Sequence, residues 1–127
     1  MSDETIYVCS RCNWTQSETE RAGPRAGAAL YEETRRRFAE WPHRERFTLM
    51  PIECMSNCKR PCIAALVAPG KYTFMFGDLP PGKESVEALL ECALLYAGKS
   101  DGFMKRDERP ELLRKGILAR IPPLPIG

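Results

Sequence analysis

The sequence predicts a single-domain α/β protein with elements in the order β-α-β-β-β-α, followed by a short C-terminal helix and a Pro-rich tail. Three observations predict this class. Two short apolar runs flank a helical segment near the start of the chain. A Pro-Gly turn joins two further apolar runs, and an apolar stripe of helical period follows them. A length of 127 residues suits one domain, over 1–127, with a core that needs no disulfide staples.

Four segments are short and apolar enough to form strands. The first ends at Cys9, and the second continues through Pro51 towards Cys54. The last two are rich in β-branched and aromatic residues and flank Pro69 and Gly70, which predicts a hairpin. The four strand segments are residues 6–8, 47–50, 63–67 and 72–76.

Two longer helices are predicted. The first runs from about Arg25 to Trp41, where Pro42 stops it. The second ends at Gly98 and carries a clear apolar stripe at helical spacing. The residues of this stripe are Val86, Leu89, Leu90, Ala93, Leu94 and Ala97.

The remaining segments are shorter or irregular. A last helix fits 110–115, with proline near its start and basic residues in its last turn. We expect a polar loop over 13–25. We expect an extended tail over 120–127, because residues that precede proline disfavour helix.

The opening β-α-β unit brings distant cysteines together. A right-handed crossover joins two parallel strands, and their carboxyl ends then lie at one edge of the sheet. Cys9 follows the first of these strands and Cys54 follows the second. Ligands of open α/β sheets bind at this edge, so we expect a site there.

Composition narrows the chemistry of that site. The chain has one His and six Cys, so a metal site in it is built of sulfur. A net charge of +2 favours neither nucleic acid nor a membrane as partner. The acidic N-terminus does not resemble a signal peptide, which predicts a cytoplasmic protein. Clustered cysteines in that reducing compartment favour metal or redox chemistry over structural disulfides.

Spacing divides the cysteines into unequal groups. Cys9 and Cys12 form a Cys-x2-Cys pair, and Cys54 and Cys58 form a Cys-x3-Cys pair. Four thiolates suit either tetrahedral zinc or an iron–sulfur cluster, and the wider second spacing favours the cluster. Cys62 is either a thiol packed behind the site or a further candidate ligand.

Two other interpretations concern single thiols and thiol pairs. Cys92 lies beside the apolar stripe of the second helix, which predicts a packed core thiol. The other interpretation is a redox dithiol formed by Cys9 and Cys12, but such pairs normally lie at a helix N-terminus, and the first predicted helix begins too late.

The arrangement of a Cys-x3-Cys loop after a strand, followed by a hairpin and a helix, resembles the thioredoxin-like [2Fe–2S] ferredoxins. The resemblance implies a thioredoxin-like fold and the ligands Cys9, Cys12, Cys54 and Cys58. In those ferredoxins the first pair is usually spaced more widely than Cys9 and Cys12. Cys62 is therefore an alternative fourth ligand in place of Cys12.

Nearly the whole chain also resembles a bacterial family described as small predicted metal-binding proteins, a domain of unknown function. One member type, called a CbiW-type ferredoxin, is encoded with cobalamin-synthesis genes. The matching segments are 7–12, 54–62, 69–74, 76–79, 108–110 and 119–123.

These resemblances imply an electron carrier with a [2Fe–2S] cofactor, and not an enzyme. Redox proteins are the expected partners, and a homodimer is expected by resemblance alone. The alternatives are a protein that holds or passes on zinc or another metal, and a dithiol oxidoreductase that uses Cys9 and Cys12.

Overall fold

A computed structural model describes residues 4–9, 26–52, 63–77, 79, 82–115 and 117–123. It confirms the predicted α/β class. The strands are β1 (Glu4–Cys9), β2 (Phe47–Ile52), β3 (Ala64–Val67), β4 (Thr73–Phe76) and β5 (Ile117–Ile121). The helices are α1 (Ala26–Ala39), α2 (Lys83–Ala97) and α3 (Leu112–Lys115), with short 3-10 turns at Arg44–Arg46 and Arg106–Glu108.

The strands form one sheet in the order β2-β1-β3-β4-β5. β1 and β2 are parallel, which confirms the predicted crossover, and every other neighbouring pair is antiparallel. Pro51 lies in β2, where its missing N–H is tolerated because β2 is an edge strand. The predicted hairpin is formed by β3 and β4.

The core fills one face of the sheet. Side chains that alternate along β1, β3 and β4 share this face with the buried sides of α1 and α2. The predicted stripe of α2 is confirmed, since four of its six members are buried and the other two, Leu94 and Ala97, are half-buried. The large, fully buried members of this core include Ile6, Leu30, Leu66, Phe74, Phe76, Leu89 and Tyr96.

α1 is shorter at its carboxyl end than predicted. It ends at Ala39, because Pro42 disfavours helical conformation in the residues before it. Trp41, beyond the end of the helix, still packs against the core, with its ring centroid 6.0 Å from that of Phe38 and 4.9 Å from that of Phe47.

β5 is absent from the predicted element order. Arg120 and Ile121 were expected to begin an extended tail, but they are the last residues of this strand. The apolar residues of β5 do not alternate cleanly with polar ones, so its sequence lacks the period of a half-buried strand. The predicted loop 13–25 and tail residues 124–127 lie outside the described residues.

The carboxyl end of α2 is fixed by a compact arrangement around Lys71. The Lys71 ammonium donates to the carbonyls of Tyr96 and Ala97 at 3.4 and 3.3 Å and lies 3.3 Å from the Glu4 carboxylate. A cation at this position stabilises the helix, because the carboxyl end of a helix carries a partial negative charge. Gly102, at φ +75°, lies directly against Lys71 and the ring of Tyr96.

Among the described residues, no helix combines the length and the apolar character that crossing a lipid bilayer requires.

Candidate metal centre

The candidate site lies at the end of β1. The parallel register pairs Cys9 with Ile52, the last residue of β2. On its other side, the Cys9 N–H donates to the Ile63 carbonyl at 2.9 Å, just before β3 begins. Cys9 is therefore held between the end of one strand and the start of another.

This topology constrains the segment that joins β2 to β3. These two strands flank β1, so they lie two strand spacings apart, about 10 Å. Residues 53–62 connect them, starting beside Cys9 at Ile52 and returning beside it at Ile63. The segment that carries Cys54, Cys58 and Cys62 thus starts and ends next to Cys9.

Of the predicted ligands, the structure describes Cys9 alone. Its side chain is buried, with 1% of its surface exposed. Cys12, Cys54, Cys58 and Cys62 lie outside the described residues. Within the described ranges, no three Cys, His, Asp or Glu side chains come together as a metal site, so a centre here needs cysteines from outside those ranges.

The donor chemistry at this edge fits an iron–sulfur group. Cys9, the segment that follows it and the segment that joins Ile52 to Ile63 together contain five thiols in sequence, and the one His of the chain is at position 43. His43 lies beyond α1, in edge contact with Trp41 at 5.5 Å, and not at the Cys9 edge. The Cys9 N–H already donates to Ile63, so Cys9 offers sulfur but no main-chain hydrogen bond to a bound group.

The geometry gives the dithiol alternative little support. The first helix that the structure describes begins at Ala26, 14 residues after Cys12. The positive end of that helix is therefore remote in sequence from the Cys9–Cys12 pair. Burial of Cys9 also opposes the access that a reactive thiol needs.

Cys92 is a core thiol, as predicted. It is fully buried on α2, and its Sγ lies 3.6 Å from the Met104 Sδ. Burial raises the pKa of the Cys92 thiol from 9.0 to about 12, against a smaller lowering effect of Arg109. A thiol that stays protonated is a poor metal ligand, so Cys92 does not belong to the candidate centre.

This raised pKa predicts a loss of stability in alkali. In the unfolded chain Cys92 releases its proton from about pH 9, whereas the folded chain holds it until about pH 12. The stabilisation is therefore complete below pH 9 and is lost progressively as the pH rises towards 12. Urea unfolding of metal-free protein from pH 8 to 11 measures this decline, to which the buried Tyr96 hydroxyl, its pKa also raised by burial, contributes.

The variant Cys92→Ala separates the contribution of the Cys92 thiol to this decline from that of the Tyr96 hydroxyl. The variant loses some stability at every pH because a small cavity forms, but its decline above pH 9 is shallower than that of the wild type. An equal slope in both proteins would show that Cys92 is not buried as a thiol.

Sequence reasoning missed a buried charged residue, Arg109. Its side chain is 5% exposed, between α2 and β4, although arginine is almost never buried without a partner. The only sequence signal was its place in the segment 108–110, which the family resemblance had included.

The fold is similar to that of three solved structures. A thioredoxin-like [2Fe–2S] ferredoxin from Aquifex aeolicus matches with a TM-score of 0.56 and 16% identity, over 82% of this chain and 100% of that chain. The wild-type thioredoxin-like [2Fe–2S] ferredoxin from Aquifex aeolicus, solved at 1.5 Å resolution, matches with a TM-score of 0.54 and 14% identity. The match covers 75% of this chain and 88% of that chain. A variant of the Aquifex aeolicus ferredoxin with one cysteine replaced by serine matches with a TM-score of 0.58 and 13% identity, over 91% of this chain and 98% of that chain. The chain thus has the thioredoxin-like ferredoxin fold.

Family membership follows from the sequence match. Residues 6–123 match the family of proteins of unknown function designated DUF1636, so this chain belongs to that family. The predicted membership of a family of unknown function and the predicted fold are both confirmed. No curated protein matches the chain significantly in sequence.

Proposed function

We propose that this protein is a [2Fe–2S] electron carrier. The observation that supports the proposal best is the position of Cys9 between Ile52 and Ile63, the two ends of the segment that carries three further cysteines. The likeness of the fold to thioredoxin-like ferredoxins agrees with it.

The proposed ligands are Cys9, Cys12, Cys54 and Cys58, with Cys62 as the alternative to Cys12. When bound, a [2Fe–2S] cluster supplies a one-electron redox couple. The chain's own part is to hold four thiolates at the edge of a rigid sheet. Cys9 is suited to this because its backbone is tied to strands on both sides, which restricts how far its sulfur can move.

The same edge bears on the choice between carrier and enzyme. Cys9 is buried and lies at the end of a packed strand, where a ligand gains from being held still. The described residues that flank Cys9 in the sheet, Ile52 and Ile63, are apolar. We therefore propose that the site carries electrons to and from redox partner proteins.

Three finer expectations remain predictions. The CbiW-type resemblance suggests a connection with cobalamin synthesis. The resemblance to thioredoxin-like ferredoxins suggests a homodimer. A cytoplasmic location is the third, and it agrees with the clustered cysteines of the chain.

Purification without oxygen tests the proposed function. We expect a brown protein with a visible absorption spectrum and about two iron and two sulfide per chain. Colourless protein with bound zinc would contradict the proposal and support the structural or trafficking alternative. Metal-free protein with a titratable Cys9–Cys12 disulfide would support the dithiol oxidoreductase instead.

A further inference from the structure

Arg109 is a buried cation whose hydrogen-bonding needs are unmet. Its side chain is 5% exposed, and neither Nε nor Nη1 has a hydrogen-bond partner among the described residues. The guanidinium lies over the ring of Phe74, with Cζ 5.9 Å from the ring centroid. A ring face attracts a cation but does not accept the two N–H bonds, so the guanidinium still lacks acceptors.

The charges around Arg109 do not compensate for its burial. Burial is the main cause that lowers the pKa of Arg109, and the neighbouring cations Arg106 and Arg120 lower it further. Among the described residues, Cys92 is the one group that acts in the opposite direction. At neutral pH that thiol is uncharged, because burial raises its pKa to about 12. The described residues therefore offer Arg109 no anion.

The surroundings suit a ligand with negative oxygens. Arg106 and Arg120 are both exposed, and Arg120 extends over the ring of Phe103 with Cζ 4.9 Å from its centroid. The Arg114 side chain donates to the carbonyls of Arg109 and Asp107, so it holds the backbone around the guanidinium. Arg106 and Arg120 are exposed and lie close enough for their charges to act on Arg109, so they add positive potential that attracts an anionic ligand.

We propose that Arg109, with Arg106 and Arg120, binds a small oxyanion, the carboxylate or phosphate group of a small molecule. Guanidinium groups recognise both through paired, charge-assisted hydrogen bonds. The unmet donors of Arg109 supply the specific bonds, and the two exposed arginines add attraction. The site lies between α2 and the β4–β5 side of the sheet, on other strands than the Cys9 edge, so it does not depend on the proposed electron transfer.

Arg109→Met tests the proposal, because methionine keeps most of the side-chain length without the charge. The thermal midpoint of the wild type in Tris chloride should rise as inorganic phosphate or citrate is added at constant ionic strength. The midpoint of the variant should not respond. Calorimetric titration should use whichever of phosphate and citrate binds the wild type more tightly. The affinity of Arg109→Met for that oxyanion should be weaker than that of the wild type by roughly tenfold or more. A response to phosphate alone or to citrate alone identifies the group that the site prefers.

The stability of Arg109→Met without oxyanion separates binding from a structural role. If the guanidinium awaits a ligand, its removal leaves the fold as stable as the wild type or more stable, since a buried charge without a partner is lost. Arg44→Met is the matched control, because Arg44 is exposed on the short turn before β2 and should leave the oxyanion response unchanged.

Two results would overturn the proposal. One is a wild-type protein whose midpoint does not respond to either oxyanion. The other is an Arg109→Met variant that is less stable than the wild type in Tris chloride and whose thermal midpoint responds to oxyanions as that of the wild type does. That result would mean that Arg109 has a structural partner within the chain. Should Arg109→Met fail to fold, the exposed double variant Arg106→Gln with Arg120→Gln must show the weakened response instead.

Discussion

Serine in place of Cys54 or Cys58 is expected to abolish the visible spectrum and to reduce iron from about two per chain to near none. Both residues belong to the segment 53–62, whose ends lie on either side of Cys9. A hydroxyl is a far weaker ligand for iron than a thiolate, because it holds its proton at neutral pH. We expect the variants to remain folded, because serine is close to cysteine in size and the described core is formed by side chains of the strands and helices.

Two further cysteines complete the experiment. Cys92→Ala is the control, because it removes a thiol from the core and should leave the spectrum unchanged. Cys62→Ser should keep the spectrum with a shifted reduction potential. A lost spectrum in Cys62→Ser, together with a retained one in Cys12→Ser, would make Cys62 the fourth ligand and refute the assignment of Cys12.

Gly102→Ala is expected to lower the free energy of unfolding by roughly 2–5 kcal/mol. This is the sum of the cost of a left-handed backbone at a residue with a Cβ and the cost of overpacking the site. Gly102 has φ +75°, and a Cβ there would lie 2.6 Å from Tyr96 Cε1 and 2.8 Å from Lys71 Cβ. Neither neighbour can move easily. Tyr96 is fully buried and donates its hydroxyl to the Tyr72 carbonyl, and Lys71 is bonded to the end of α2.

Two other glycines separate the causes. Gly70 has a similar φ of +72° but open space around it, so Gly70→Ala should cost only about 1–2 kcal/mol. Gly98 has an ordinary φ, and a Cβ there would meet only backbone oxygens, at 3.5 Å or more. Gly98→Ala should therefore be close to neutral. Urea unfolding of the three variants measures this order, and equal losses at Gly70 and Gly102 would show that the close contact is relieved at no cost.

The sequence predicted the elements whose patterns depend on local order. The stripe of α2, the hairpin around Gly70 and the crossover from β1 to β2 each follow from period, turn residues or connection length. β5 was not predictable in this way, because an edge strand is stabilised by pairing with β4 and needs no alternating pattern of its own.

The two candidate sites, the sheet edge at Cys9 and the buried Arg109, also differ in how far the sequence could predict them. The meeting of the Cys9 and Cys54 segments at one sheet edge could be predicted, because the handedness and direction of a crossover are general rules. The additional role of β3, which returns the 53–62 segment beside Cys9, required the sheet order. The burial of Arg109 was beyond sequence reasoning, since it depends on how α2, β4 and the residues before α3 pack together.

The position of Cys9 between two neighbouring strands has a consequence for biogenesis. Main-chain pairing holds its backbone on both sides, and the described core is made of side chains from the strands and helices. Small zinc domains, by contrast, are unfolded until the metal binds. If Cys9 holds the proposed cluster, we therefore expect the polypeptide to form its sheet first and to receive the cluster afterwards. A maturation factor would meet a finished scaffold, and a protein stripped by oxidation could be recharged without passing through the unfolded state.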